Sequence, residues 1–209
     1  MPIRLKLLDA AARVYAETGF RGATTRRIAR EAGVNEITLF RHFGSKARLL
    51  HEAIACAAVA SPAALLPVRP VHPRLELLEW SRSHLKDLYE KRALIRTCMG
   101  EVEEHPDMIA AEGNPTSSSA KDLGRYLRRL KAAGLAKAPF DPASAAAMLM
   151  GVLFADAMGR DVIPDMFNQD MDTAVHHYID LFLRGIGVTA ARSSVRRTPT
   201  RGSAAARRR

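Results

Sequence analysis

Apolar residues in this chain recur at helical spacing, and glycine, proline and capping residues cut the pattern into segments. Leu8, Ala11, Ala12 and Tyr15 follow i, i+3, i+4, i+7, the stripe of an amphipathic helix. Gly19 ends that helix as a left-handed cap, because a residue without Cβ meets no clash there. Thr24 caps a short helix to Ala32, which Gly33 closes; Asn35 caps a helix from Glu36 to about Phe43. Gly44-Ser45 breaks the chain again, with Ser45 capping a fourth helix from Lys46, and Pro62, Pro67, Pro70 and Pro73 form a loop beyond it. The helical period returns at Arg74 and continues past Arg92 to about Glu104; further helices are predicted over 121–133, over 142–159 behind the start signal Asp141-Pro142, and over 172–187. No segment keeps a strand alternation and no hairpin dipeptide separates apolar runs. The expected fold is all-α, about nine helices.

With 47% hydrophobic and 26% charged residues, the chain reads as globular. The uncharged stretch from Pro142 to Ala155 falls short of the roughly 20 residues a membrane span needs. Arg4, Lys6 and Asp9 interrupt any apolar run near Met1, so no secretory signal and no membrane partner are expected, and a cytoplasmic location is. Two cysteines, Cys56 and Cys98, give neither a disulfide scaffold nor a zinc pair, and are expected as small buried apolar groups. Glu101, Glu103, Glu104, His105 and Asp107 lack the Glu-x-x-His spacing of carboxylate metal sites. His176 and His177 adjoin in one helix and face different ways. No nucleophile–histidine arrangement or glycine-rich phosphate loop can be read. Catalytic residues, metals and cofactors are therefore not expected.

Charge is distributed unevenly. Residues 1–50 hold ten Lys/Arg against four acids, a net +6; residues 51–189 carry −3; residues 190–209 carry seven Arg and no acid, +7. Basic ends around a mildly acidic middle point to a polyanion met by part of the chain, with nucleic acid the leading candidate. The same division suggests three regions: a DNA-binding domain over 1–50, a helical domain over 51–189, and a basic tail over 190–209 whose Arg/Ser/Thr/Ala composition is expected to stay disordered.

The segment Thr24 to Phe43, TTRRIAREAGVNEITLFRHF, has the spacing of a helix-turn-helix. Ile28 and Ala29 face inward, Gly33 makes the turn, Val34 fills the angle, and Leu39 and Phe43 anchor the second helix. Asn35, Glu36, Thr38, Arg41 and His42 are left to point outward, as a helix entering a major groove requires. Glu36 is the ambiguous member: it could accept from a cytosine amine or repel phosphate. Together, LLDAAARVYAETGF, GATTRRIAREAGV and NEITLFRHFGSKARLL resemble the N-terminal region of the TetR family of bacterial transcriptional repressors.

The resemblance covers about the first 50 residues closely and the rest only in helix count and length. With the outward residues of the helix-turn-helix, the candidate DNA contacts are Thr24, Thr25, Arg26, Arg27, Asn35, Glu36, Thr38, Phe40, Arg41, His42 and Lys46, and the resemblance gives roles to some of them. Thr24 matches a phosphate-binding threonine, Thr38 the base-reading face, His42 a position near the backbone, and Lys46 a phosphate-binding lysine. Phe40 stands where the family usually has a tyrosine whose hydroxyl donates to phosphate; phenylalanine lacks that donor but is expected to wedge the helix against the bundle.

The family also implies a homodimer on a palindromic operator in double-stranded DNA and a small-molecule effector. Trp80, His84, Tyr89, Arg96, Met99, Met108, Tyr126 and Phe154 are the candidate lining of an effector pocket. Met148, Leu149, Val152, Val175, Ile179, Phe182 and Ile186, on the last two helices, are the candidate dimer interface. The expected function is a sequence-specific transcriptional regulator, a repressor released by its ligand. The alternatives are a related DNA-binding protein that organises the nucleoid and, as a different class, a helical enzyme.

Overall fold

A computed structural model describes residues 1–59, 64–105 and 115–188. Met108 and the basic tail at 190–209 lie outside these residues. Nine α-helices and no strand occur among the described residues. They are α1 (Ile3–Gly22), α2 (Thr25–Glu31), α3 (Glu36–Phe43), α4 (Lys46–Val59), α5 (Pro73–Glu90), α6 (Arg92–Glu101), α7 (Pro115–Ala132), α8 (Pro142–Gly159) and α9 (Met171–Gly185).

The caps follow local chemistry. Thr24 accepts from the Arg27 N–H at 3.2 Å, Asn35 from the Ile37 N–H at 2.9 Å, Ser45 from the Arg48 N–H at 3.2 Å, and Asp141 from the Ser144 N–H at 2.7 Å. Each satisfies an amide that the first helical turn leaves unpaired. Gly33 takes φ 67° in the turn between α2 and α3. Three boundaries differ from expectation. Gly19 adopts φ 68°, ψ −174°, a region reserved for glycine, yet α1 resumes for another turn because the Ala23 N–H bonds back to the Gly19 carbonyl at 3.0 Å. The long helix expected after Arg74 breaks at Lys91 (φ −92°, ψ 1°) into α5 and α6. Finally, α7 opens at Pro115 rather than near Lys121; proline is tolerated in a first turn.

Two hydrophobic cores result. The first joins α1 to α4 through Leu7, Tyr15, Ile28, Leu39, Phe43 and Leu49, and Leu94 and Cys98 of α6 pack onto it. The second joins α5, α7, α8 and α9 through Leu77, Trp80, Tyr126, Leu153, Ile179 and Phe182, with Ile95 of α6 against it. The single helix α6 therefore touches both cores. Cys98 is half-buried, but Cys56 is exposed on α4, so only one cysteine approaches the buried role expected of both.

α8 is long and apolar enough by composition to cross a membrane, but Leu149, Leu153 and Ala157 build its inner face into the second core. Near its end Asp156, fully buried, accepts from the Tyr178 hydroxyl at 2.8 Å and from two nitrogens of Arg160. Burial and the bond to Asp156 together push the Tyr178 hydroxyl up to about 12. On α5, burial works to raise the Glu76 carboxyl. The Tyr126 hydroxyl at 2.5 Å and the backbone N–H groups of His72 and Val71 outweigh burial and hold that carboxyl below its ordinary value.

Candidate nucleic-acid interface

α2 and α3 meet across the Gly33 turn. Ile28, Ala29, Leu39 and Phe43 are buried and Val34 packs beside them, which leaves one side of the pair free. On the pair, Thr24, Arg26, Arg30, Asn35, Ile37, Phe40, Arg41 and His42 are exposed, and Thr25, Arg27, Glu36 and Thr38 are half-buried. Arg26, Arg30 and Arg41 have no ion pair among the described residues, whereas Arg27 pairs with Glu17 at 2.7 Å. Three guanidinium groups of the α2–α3 pair are thus exposed and uncompensated among the described residues, the charge a phosphate backbone attracts.

Several of the expected contacts are already committed inside the protein. The Thr25 hydroxyl donates to the Glu36 carboxylate, which turns Glu36 toward α2 rather than outward. The Asn35 side-chain oxygen is used by its own cap, leaving the amide nitrogen to reach a base edge. Phe40 is 45% exposed, so it does not wedge α3 against the bundle; Leu39 and Phe43 do that instead.

Lys46 is the largest surprise. It is half-buried, its ammonium donates to the Phe20 carbonyl, and it sits 4.3 Å from the centre of the Phe20 ring. Burial lowers its affinity for the proton, opposed by the nearby Glu101 carboxylate. Glu101 in turn accepts from the Phe20 N–H at 2.7 Å, and the Thr97 hydroxyl donates to the Ala16 carbonyl at 2.9 Å. A Cβ on Gly19 would lie 2.3 Å from the Glu101 carboxylate, so glycine is what lets α6 come this close. The end of α1, the start of α4 and the end of α6 are thereby joined at one point, and sequence reasoning missed Phe20, Thr97 and Glu101 as members of it. Their only local signal is the glycine itself; the partners are remote along the chain.

The candidate effector residues do not assemble as expected. Trp80 and Tyr126 belong to the second core with Tyr89 and Phe154 against it. His84 is buried and stacks on Trp80 with ring centres 4.9 Å apart. Arg96, by contrast, donates to Asp161 at 2.9 Å, and Met99 is 55% exposed on α6; neither faces the others. An open cleft of about 430 Å³ lies elsewhere, beside α9, lined by Arg160, Phe167, Gln169, Tyr178 and Leu181 among others. The candidate dimer residues need a correction as well. Leu149, Val175, Ile179, Phe182 and Ile186 are all at least 95% buried in the protomer's own second core, because α5 and α8 pack on α9 while α5 and α7 pack on α8. Of the proposed set, Met148 is exposed and Val152 half-buried.

Residues 7–53 match the family described as bacterial regulatory proteins, tetR family. Over those residues the chain carries the N-terminal domain of that family. Over its length it is similar to the HTH-type transcriptional regulator YvkB of Bacillus subtilis, 25% identical over 186 residues, 88% of this chain and 97% of that one. It is 41% identical over 46 residues to the HTH-type transcriptional repressor AcnR of Corynebacterium efficiens, 22% of this chain and 24% of that one. The TetR family transcriptional regulator PfmR of Thermus thermophilus has the same fold, with a TM-score of 0.64 at 24% identity, covering 85% of this chain and 97% of PfmR. The chain thus has a helix-turn-helix domain of the tetR type, and the relatives it resembles over its length are helix-turn-helix transcriptional regulators.

Proposed function

We propose that this chain is a cytoplasmic, homodimeric repressor that holds a near-palindromic operator through α3 and releases it when a small molecule binds. Residues 1–50 supply the DNA contacts, residues 51–189 the dimer and effector functions, and the basic tail at 190–209 adds charge. The observation that carries the reading is the exposed surface of α2 and α3, where Arg26, Arg30 and Arg41 are unpaired among the described residues and Ile37, Phe40 and His42 are exposed. The kinship with AcnR over the matching 46 residues supports repression in particular.

For the effector, the supporting feature is on α5. The Ser81 hydroxyl and the His84 Nε2 are buried beside Trp80 without a hydrogen-bond partner. A buried polar group without a partner costs roughly 1–3 kcal/mol, and an apolar molecule with one or two polar atoms would supply the missing bonds. For the dimer, the outer faces of α8 and α9 present Ala147, Met148, Gly151, Ala155 and Leu181, small and apolar residues that a second copy can cover.

The test is selection of binding sites from random duplexes by the full-length protein, followed by footprinting. A dimer protects two half-sites whose centres lie about 34–36 Å, or a multiple of it, apart. Lys46→Ala is expected to weaken selected and random duplexes alike, both by losing a cation and by loosening the end of α1. Equal affinity for a selected site and for random duplex at physiological salt would sink the proposal.

A further inference from the structure

We infer that Ile37 is a base-reading residue, recognising the C5-methyl group of a thymine in the major groove. The inference rests on the proposed entry of α3 into DNA. Ile37 is 75% exposed in the first turn of α3, and Phe40, one turn on, is 45% exposed; together they form an apolar strip on the free side of the helix. A single exposed aliphatic side chain is ordinary, but this strip adjoins Arg41 on the same helix, which is exposed and has no ion pair among the described residues. Apolar groups inside a cationic surface suit the floor of a major groove, where phosphates lie at the edges and the thymine methyl is the apolar feature of the base-pair edge.

The polar neighbours narrow the choice further. Glu36 is held by Thr25, the Asn35 side-chain oxygen is held by the Ile37 N–H, and Thr38 is half-buried. That leaves the Asn35 amide nitrogen, Ile37, Phe40, Arg41 and His42 free at the exposed face of α3, and of these Ile37 and Phe40 are the apolar ones. Arg41 carries hydrogen-bond readout and Ile37 carries methyl readout. Four residues of helix advance about 6 Å, while base pairs step by about 3.4 Å. The thymine is therefore expected one or two base pairs from the position that Arg41 reads.

The experiment uses the full-length protein and a duplex it has selected from random sequence. Each thymine is replaced in turn by deoxyuridine, which keeps every hydrogen-bonding atom and removes only the methyl. Burying one methyl group corresponds to about a fourfold change in affinity, so one deoxyuridine per half-site is expected to weaken the wild type about fourfold. The Ile37→Ala variant is expected to bind the thymine and deoxyuridine duplexes equally, and Ile37→Val to keep most of the discrimination. Alanine at an exposed helical position favours the helix, so circular dichroism should show the variant folded. A selected site at which no deoxyuridine distinguishes wild type from Ile37→Ala overturns this inference and leaves the proposed function standing. Failure to enrich any duplex overturns both.

Discussion

His84 is a buried imidazole stacked on the only tryptophan of the chain, with its Nε2 unbonded. Burial lowers its affinity for the proton; Asp87 opposes that effect and Lys91 reinforces it. The sign of the consequence follows from linkage. Above the ordinary value of 6.5 the imidazole is neutral in folded and unfolded chains alike, and stability is full. As the pH falls below that value the unfolded chain takes up a proton that the folded chain refuses, and stability drops until the folded imidazole also titrates. Urea unfolding followed by Trp80 fluorescence should therefore show a lower midpoint at about pH 5.5 than at about pH 7.5. His84→Phe keeps a ring against Trp80 and removes the titration, so the difference between the two midpoints should shrink. An equal drop in both proteins would show that His84 does not set it. The same unbonded nitrogen is the atom an effector would satisfy, so a bound effector should also blunt the pH dependence.

Among the elements, α8 and α9 carry the proposed dimer face. Phe182 is 4% exposed and Leu181 62% exposed, although they adjoin on α9. Phe182→Glu would bury an unpaired charge in the second core, a cost on the order of several kcal/mol, and is expected to unfold the protomer. Leu181→Glu leaves that core intact, should change stability by no more than about 0.5 kcal/mol, and is expected to sediment as a folded monomer with weak operator binding. An intact Leu181→Glu dimer would move the interface elsewhere. The inward stripe of α9 was readable from sequence as an apolar repeat, but not what would cover it. α8 is harder still, because alanine, methionine, leucine and valine surround it and no polar face marks the outside. Caps were legible, since Thr24, Asn35, Ser45 and Asp141 each bond an amide within three residues. The break at Lys91 was not, since neither glycine nor proline marks it. On the DNA-facing side, the outward positions of α3 could be read from its period. The diversion of Glu36 to Thr25 and of Lys46 to Phe20, 26 residues away, depends on how helices cross and has no local signature.

At the scale of the whole molecule, α6 is the ten-residue helix that both cores share. On one side Thr97 and Glu101 hold the backbone of α1 at Ala16 and Phe20. On the other, Arg96 grips the end of α8, donating to the Met158 carbonyl and to both oxygens of Asp161. The Arg96 bond, opposed only by partial burial, holds the Asp161 carboxyl down at about 2, so this tie stays charged throughout the physiological range. A movement in the second core can reach the α1–α4 junction through this helix, and the junction includes the Lys46 ammonium. Ion pairs this exposed contribute little to stability, so Arg96→Ala should unfold at nearly the wild-type urea concentration. Its effect should appear in DNA binding. With the tie to α8 cut, α6 and the end of α1 sample more arrangements, and affinity for a selected duplex should fall by about 2- to 30-fold. Base preference should stay unchanged, because Arg96 is remote from α3. Titration of the variant with the selected duplex and with single-base variants of it separates the two effects. Affinity within twofold of wild type would show that α6 does not couple the cores, and an altered preference would show that the substitution disturbs the reading helix itself.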